Sequence, residues 1–215
     1  MKLSHGWYHH DVMKGLGTYI RRSGVIDAAM KYLPPERRRT VLQAGAHQGV
    51  WPVTLAKLFE HVFAWEPMPS NWECLVKNTE KIDNITITLG CLGEEVGEVM
   101  LEDKSNKNTG ASFINPRIGT QSAKQFRLDD YNFPTPVDAL FLDVEGYELK
   151  ILLGGHILIH NDRPALIVVE ENGLQKRRFR MPEKALGKYL ETFGYQAVER
   201  WEEDVIYILE DNHYD

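Results

Sequence analysis

The segment Arg39-Thr40-Val41-Leu42-Gln43-Ala44-Gly45-Ala46-His47-Gln48-Gly49 constrains the fold more than any other stretch of this chain. Val41 and Leu42 open a short apolar run that reads as a buried strand. Gly45 and Gly49 then let the backbone turn sharply, and Val50 to Phe59 continue with helical spacing. A helix N-terminus exposes N–H groups and a partial positive charge, and glycines let a ligand approach the backbone closely. The segment therefore reads as a cradle for a nucleotide-like ligand.

The alternation continues downstream. His61 to Trp65 is a second strand stopping at Glu66-Pro67-Met68-Pro69, Asn71 to Asn78 a helix, and Ile85 to Leu89 a β-branched third strand. Val137 to Asp143 and Ala165 to Val169 read as the fourth and fifth strands, and Pro182 to Phe193 as a helix. Tyr195 to Trp201 and Val205 to Leu209 then make a C-terminal antiparallel hairpin across Glu202-Glu203-Asp204. This order predicts an α/β fold with a doubly wound, mostly parallel sheet. Gly93 to Asp103 breaks the pattern as an excursion of short strands. With the polar loop Ser105 to Gly110 and Ala111 to Ile114, it either shapes a pocket or forms a surface insert. Trp7, Tyr8, His9 and His10 read as an irregular arm or as a flap, and Arg37, Arg38 and Arg39 as a solvated charge run. A chain of 215 residues fits one domain, 1-215, with the arm and a first helix over 1-36 and the core over 37-211.

Lys+Arg of 25 against Asp+Glu of 31 gives a net charge of −6, which weighs against a protein built to grip nucleic acid backbone. Cys74 and Cys91 form no CxxC pair and read as buried thiols in a reducing setting. The start lacks the apolar core of a signal peptide, and no apolar run approaches ~20 residues, so a soluble cytoplasmic protein without membrane insertion is expected. Oligomeric state is not legible.

Acidic residues close the strands. Glu66 ends the second strand about 20 positions after the glycine turn, where an acid in nucleoside-binding α/β folds accepts hydrogen bonds from both ribose hydroxyls. Asp143 and Glu145 follow the fourth strand, and Glu170, Glu171 and Asn172 the fifth.

With these blocks in order, the chain resembles the FkbM-type family of S-adenosylmethionine-dependent methyltransferases, within the seven-stranded Rossmann-like class I group. The resemblance spans roughly Val41 to Glu171. It rests on the glycine segment, on Trp65-Glu66-Pro67-Met68-Pro69-Ser70-Asn71 with Leu75 and Asn78, on Leu128-Asp129-Asp130, and on Leu142-Asp143-Val144-Glu145-Gly146-Tyr147-Glu148 with Leu152, Gly154, Arg163-Pro164 and Glu170. It implies a 3-2-1-4-5-7-6 strand order and S-adenosylmethionine as cofactor. Gly45, Ala46 and Gly49 would admit the methionine portion, Glu66 with Pro67 and Met68 would hold the ribose, and Cys91-Leu92 would lie beside the adenine. Three positions depart from the family pattern: Gln43 replaces an acid, His47 an asparagine and Leu142 a lysine. Gln43 lacks the charge that would pair with the cofactor's ammonium group. Restoring the acid with Gln43→Asp then tightens binding, unless the glutamine is itself a fitted contact.

Methyl transfer is an in-line displacement, so the acceptor oxygen must sit within about 3 to 3.5 Å of the methyl carbon, and an alcohol needs a base or a metal. Asp143, Glu145 and His47 are the candidate bases. The alternative is Mg²⁺ held by Asp143, Glu171 and Asn172, an all-oxygen set of the kind some catechol-type class I enzymes use. The basic run Lys176-Arg177-Arg178-Phe179-Arg180 reads as a solvated loop or as a neutraliser of an anionic acceptor. The leading expectation is O-methylation of a small-molecule or glycan acceptor. Two other readings stand beside it: a nucleic-acid methyltransferase, and a binding module that keeps the cofactor without turnover. Gly45 and Gly49 do not complete the G-x-G-x-x-G of a nicotinamide oxidoreductase.

Overall fold

The computed structural model describes residues 1–4, 6–9, 24–104 and 110–210. Of the segments considered above, His10, the start of the first helix at Ser23 and the polar loop Ser105 to Thr109 lie outside the described residues.

Three central strands of the main sheet are buried along their whole length: β3 (Thr40–Ala44), β10 (Val137–Leu142) and β11 (Leu166–Glu170). Strands covered on both faces read as continuous apolar runs, which is why these segments were legible. With β4 (His61–Glu66), β5 (Ile85–Leu89), β12 (Tyr195–Trp201) and β13 (Asp204–Leu209) they form a seven-stranded sheet in the order β5-β4-β3-β10-β11-β13-β12. The first five are parallel; β13 runs antiparallel to β11 and pairs antiparallel with β12. Counted along the chain, this is the 3-2-1-4-5-7-6 order.

Alternate side chains of the central strands enter different cores. Leu42, Ala44, Leu140 and Leu142 pack with α4 (Glu148–Leu153), α5 (His156–Asp162) and α7 (Ala185–Glu191). Val41, Ala139 and Phe141 pack with α1 (Gly24–Ala29) and α2 (Val50–Leu55). Helices therefore cover both faces of the sheet. On α3 (Pro69–Thr79), Leu75 packs with Ala46 and Ala64, next to the glycine turn. The excursion is a second sheet of four short strands, β6 (Cys91–Leu92), β9 (Gln121–Phe126), β7 (Gly97–Glu102) and β8 (Phe113–Ile114), in that order across the sheet.

Two expectations fail for physical reasons. The arginine run is only partly solvated: Asp138 is fully buried on β10 and accepts from Arg37 Nε at 2.8 Å, from Arg39 Nη2 at 2.6 Å and from the Arg39 backbone N–H at 2.9 Å. Burying one carboxylate requires such compensation. Arg38 turns the other way and donates to the carbonyls of Leu33 and Met30 behind α1. The described part of the N-terminal arm is not irregular, because β1 (Lys2–Ser4) and β2 (Trp7–His9) pair antiparallel. Asn78 on α3 holds it, accepting from Tyr8 N–H and donating to the carbonyls of Tyr8 and Gln48.

Candidate functional site

Strand order reverses between β3 and β10, and such a switch point opens a crevice at the strands' carboxyl ends. The glycine turn and the Asp143 turn meet there. Gly45 has φ +82°, and a Cβ at that position would lie 1.9 Å from the Asp143 carbonyl oxygen. The glycine is required by the neighbouring strand's backbone as well as by the turn. Gly45 and Ala46 both donate their N–H groups to the Trp65 carbonyl, at 3.0 and 2.9 Å, which ties the turn to β4.

Glu66 fastens the other side. Its Oε2 accepts from the His47 N–H at 2.7 Å, and its Oε1 from the Met68 N–H at 2.9 Å and from Asn71 Nδ2 at 3.3 Å. The side chain is 4% exposed, and burial, helped by the charge of Asp143, pushes its pKa up to about 7 against the pull of those three donors.

The Asp143 turn is shaped by Glu148, whose Oε1 accepts from the N–H groups of Val144 and Gly146, both at 3.1 Å. Glu145 and Gly146 both have positive φ, and burial lifts the Glu148 carboxyl to about 8. Over this turn lies α6 (Leu174–Phe179): Arg178 Nη1 donates to Glu145 Oε2 at 2.8 Å and to the Glu145 carbonyl at 2.7 Å. The Arg178 guanidinium sits 3.7 Å above the centre of the Phe113 ring, and Phe179 meets Tyr147 edge to face.

Between these pieces is a cleft of about 1020 Å³, its open mouth included. Gly45, Ala46, His47, Trp65, Glu66, Pro67, Met68, Cys91, Leu92 and Asp143 are among the residues that line it, together with Leu101, Ser112, Phe113, Ile114, Glu145 and Tyr147.

The family model described as "Methyltransferase FkbM domain" matches residues 43–197, well over half of the chain. The chain belongs to the FkbM methyltransferase family. No curated protein matches it in sequence. Its FkbM fold is similar to that of the N-methyltransferase NodS from Bradyrhizobium japonicum WM9, solved with S-adenosyl-L-homocysteine: TM-score 0.55 at 12% identity, covering 93% of this chain and 91% of that one. It is similar also to precorrin-6y C5,15-methyltransferase from Geobacter metallireducens GS-15, with TM-score 0.51 at 14% identity over 94% and 96% of the two chains. At those identities the likeness is one of fold.

Most of the residues expected at the FkbM site gather at the cleft, and four do not. Gln43 lies under the turn, donating from Nε2 to the carbonyls of Ala44 and Gly45. Gly49 faces α3, where a Cβ would meet Leu75 at 3.0 Å. The metal set does not assemble: Glu171 Oε1 accepts from the Tyr207 hydroxyl at 2.6 Å, and Asn172 Oδ1 accepts from Leu174 N–H at 3.0 Å at the start of α6. The Glu171 N–H also donates to the Glu203 carbonyl, fixing this segment to the β12–β13 turn, and neither Glu171 nor Asn172 lines the cleft with Asp143. Among the described residues no group of three or more His, Cys, Asp or Glu is placed to hold a metal ion. Mg²⁺ is not supported by the donors as they are placed.

His47, Asp143 and Glu145 all line the cleft. Glu145 is committed to Arg178, and a carboxylate held by a guanidinium is a poor base. Arg178 itself was missed, because a run of basic residues gives no sign of which one turns inward. Tyr147 stood inside a noted motif without a role. Of the two readings of the excursion, the structure takes the pocket-shaping one, with Leu101, Ser112, Phe113 and Ile114 in the cleft lining.

Proposed function

We propose that this chain transfers the methyl group of S-adenosylmethionine to a hydroxyl oxygen of a small-molecule or glycan acceptor. The observation that carries the reading is the meeting of the glycine turn, the buried Glu66 carboxylate and Asp143 around one cleft at the strand switch point. Bound there, the cofactor would supply an electrophilic methyl on a sulfonium. The cleft's chemistry fits it. Oε2 of Glu66 has one protein donor and keeps a lone pair for a ribose hydroxyl, while the second hydroxyl competes with the 3.3 Å Asn71 contact. Cys91, Leu92 and Trp65 give an apolar wall suited to a nucleobase, and Gly45 and Ala46 offer backbone to the methionine portion.

Ser112, Phe113 and Tyr147 border the remaining space and would orient the acceptor. Asp143 would take the acceptor hydroxyl's proton, and holding that oxygen in line with the methyl group of a bound S-adenosylmethionine would supply most of the acceleration. His47 is the second candidate for that proton. Glu145 acts through Arg178 by fixing the outer wall. The net charge of −6 and the three carboxylates bordering the cleft speak against a polyphosphate acceptor.

The test is release of S-adenosylhomocysteine from S-adenosylmethionine across a panel of hydroxylated small molecules, glycans and RNA. Turnover with a hydroxyl acceptor that drops at least about 100-fold in Asp143→Asn supports the assignment. Turnover on RNA alone, or full activity in Asp143→Asn, contradicts it.

A further inference from the structure

Gln43 sits 1% exposed beneath the glycine turn. Its Nε2 donates to the Gly45 carbonyl at 3.0 Å and to the Ala44 carbonyl at 3.2 Å, while its buried Oε1 meets no hydrogen-bond donor among the described residues. Chemistry fixes which end of the amide is which. Carbonyl oxygens only accept, so the atom facing two of them is the nitrogen. An ionised carboxylate has no donor to offer in that place and would be buried against two carbonyl dipoles.

The turn is braced from two sides. The Trp65 carbonyl and the Glu66 carboxylate take up the N–H groups of Gly45, Ala46 and His47 from the β4 side. Gln43 takes up carbonyls of the same turn from within β3. Without it the Gly45 carbonyl loses this donor, and the Gly45 peptide has one restraint fewer in a stretch with φ +82° at Gly45 and +51° at His47. That bond is part-buried, and losing it removes one of the contacts that hold the turn in place.

We propose that Gln43 is a positioning residue: its side-chain amide, acting as a donor, holds the peptide of Gly45 where the methionine portion of the cofactor is to be received, without touching the cofactor. The inference rests on the cleft being the S-adenosylmethionine site. It reverses the sequence-based alternative in which an acid at this position binds better. Gln43→Asp loosens binding.

The experiment is calorimetric binding of S-adenosylhomocysteine to wild type, Gln43→Glu and Gln43→Met at pH 6 and pH 9, with each variant's affinity expressed relative to wild type at the same pH. Both substitutions preserve side-chain length. A protonated glutamic acid can donate one hydrogen bond, an ionised one cannot, and methionine never can. Expected are Gln43→Glu within threefold of wild type at pH 6 and about tenfold weaker at pH 9, and Gln43→Met about tenfold weaker at both; tenfold corresponds to about 1.4 kcal/mol. Gln43→Met binding as tightly as wild type overturns the proposal, as does Gln43→Glu binding relatively tighter at pH 9. A wild type that binds no S-adenosylhomocysteine overturns the cofactor reading itself. Should neither variant fold, the wild-type side-chain amide decides by nuclear magnetic resonance. Slow hydrogen exchange and a shift on adding S-adenosylhomocysteine support the role; fast exchange, or no shift, overturns it.

Discussion

Glu66 allows the cofactor site to be tested by pH alone. In the unliganded protein its carboxyl titrates at about 7, because burial outweighs the three donors that favour the charge. A folded pKa above the ordinary carboxylate value means that the folded protein holds a proton the unfolded chain has released. Its contribution to stability is thus complete below the ordinary range and is lost as pH rises through 7, by about 1.4 kcal/mol per unit across that window. Ribose hydroxyls donating to the carboxylate favour its charged form and drag the pKa back down. At pH 6 about one molecule in eleven is ionised, and at pH 8 about ten in eleven, so affinity for S-adenosylhomocysteine should be about tenfold weaker at pH 6 than at pH 8. Calorimetry in buffers of different ionisation enthalpy should also find about 0.9 proton released per ligand bound at pH 6. Glu66→Gln should flatten both signals. Equal affinity at the two pH values with no proton release, in protein shown to be folded, would refute the role given to Glu66.

Three further outcomes follow from particular contacts. Gly45→Ala places a methyl 1.9 Å from the Asp143 carbonyl at a positive φ, so thermal melting should show a loss above about 3 kcal/mol, together with lost cofactor-product binding; a variant melting near wild type would contradict the close approach. Arg178→Met removes the bonds to Glu145 and the cover over Phe113. Steady-state kinetics should show acceptor kcat/KM falling at least about tenfold, with S-adenosylhomocysteine affinity unchanged within about twofold, and a loss confined to cofactor binding would place Arg178 elsewhere. Asp138→Ala leaves Arg37 and Arg39 without their shared carboxylate, and urea unfolding should report a loss of about 3 to 5 kcal/mol. The arginines hold the Asp138 carboxyl below its usual range despite burial, so its stabilisation is present above the ordinary carboxylate pKa and disappears as pH falls through the depressed value.

Most of the sheet was legible because its strands are encoded locally: Thr40–Ala44, Val137–Leu142 and Leu166–Glu170 are short apolar runs ended by glycine or acid. Glu66 and Asp143 could be placed beside the cleft because each closes or follows a parallel strand at its carboxyl end. Direction in space was not encoded in the same way. Glu171 follows its strand as Asp143 does, yet the antiparallel β13 draws its backbone to Glu203 and its side chain to Tyr207. Arg37 and Arg39 look solvated until Asp138, about a hundred residues later, arrives fully buried beside them. Gln43 occupies the position where a charge was expected, but the partners within its reach are carbonyls.

S-adenosylmethionine is proposed to occupy the cleft between the glycine turn, Glu66 and the Asp143 turn. A crystal structure with S-adenosylhomocysteine tests it most directly. The ribose hydroxyls should lie on Glu66, the adenine beside Cys91 and Leu92, and the sulfur should face the space between Asp143 and Phe113. Ligand density elsewhere, or a cleft that stays empty at saturating ligand, would contradict it.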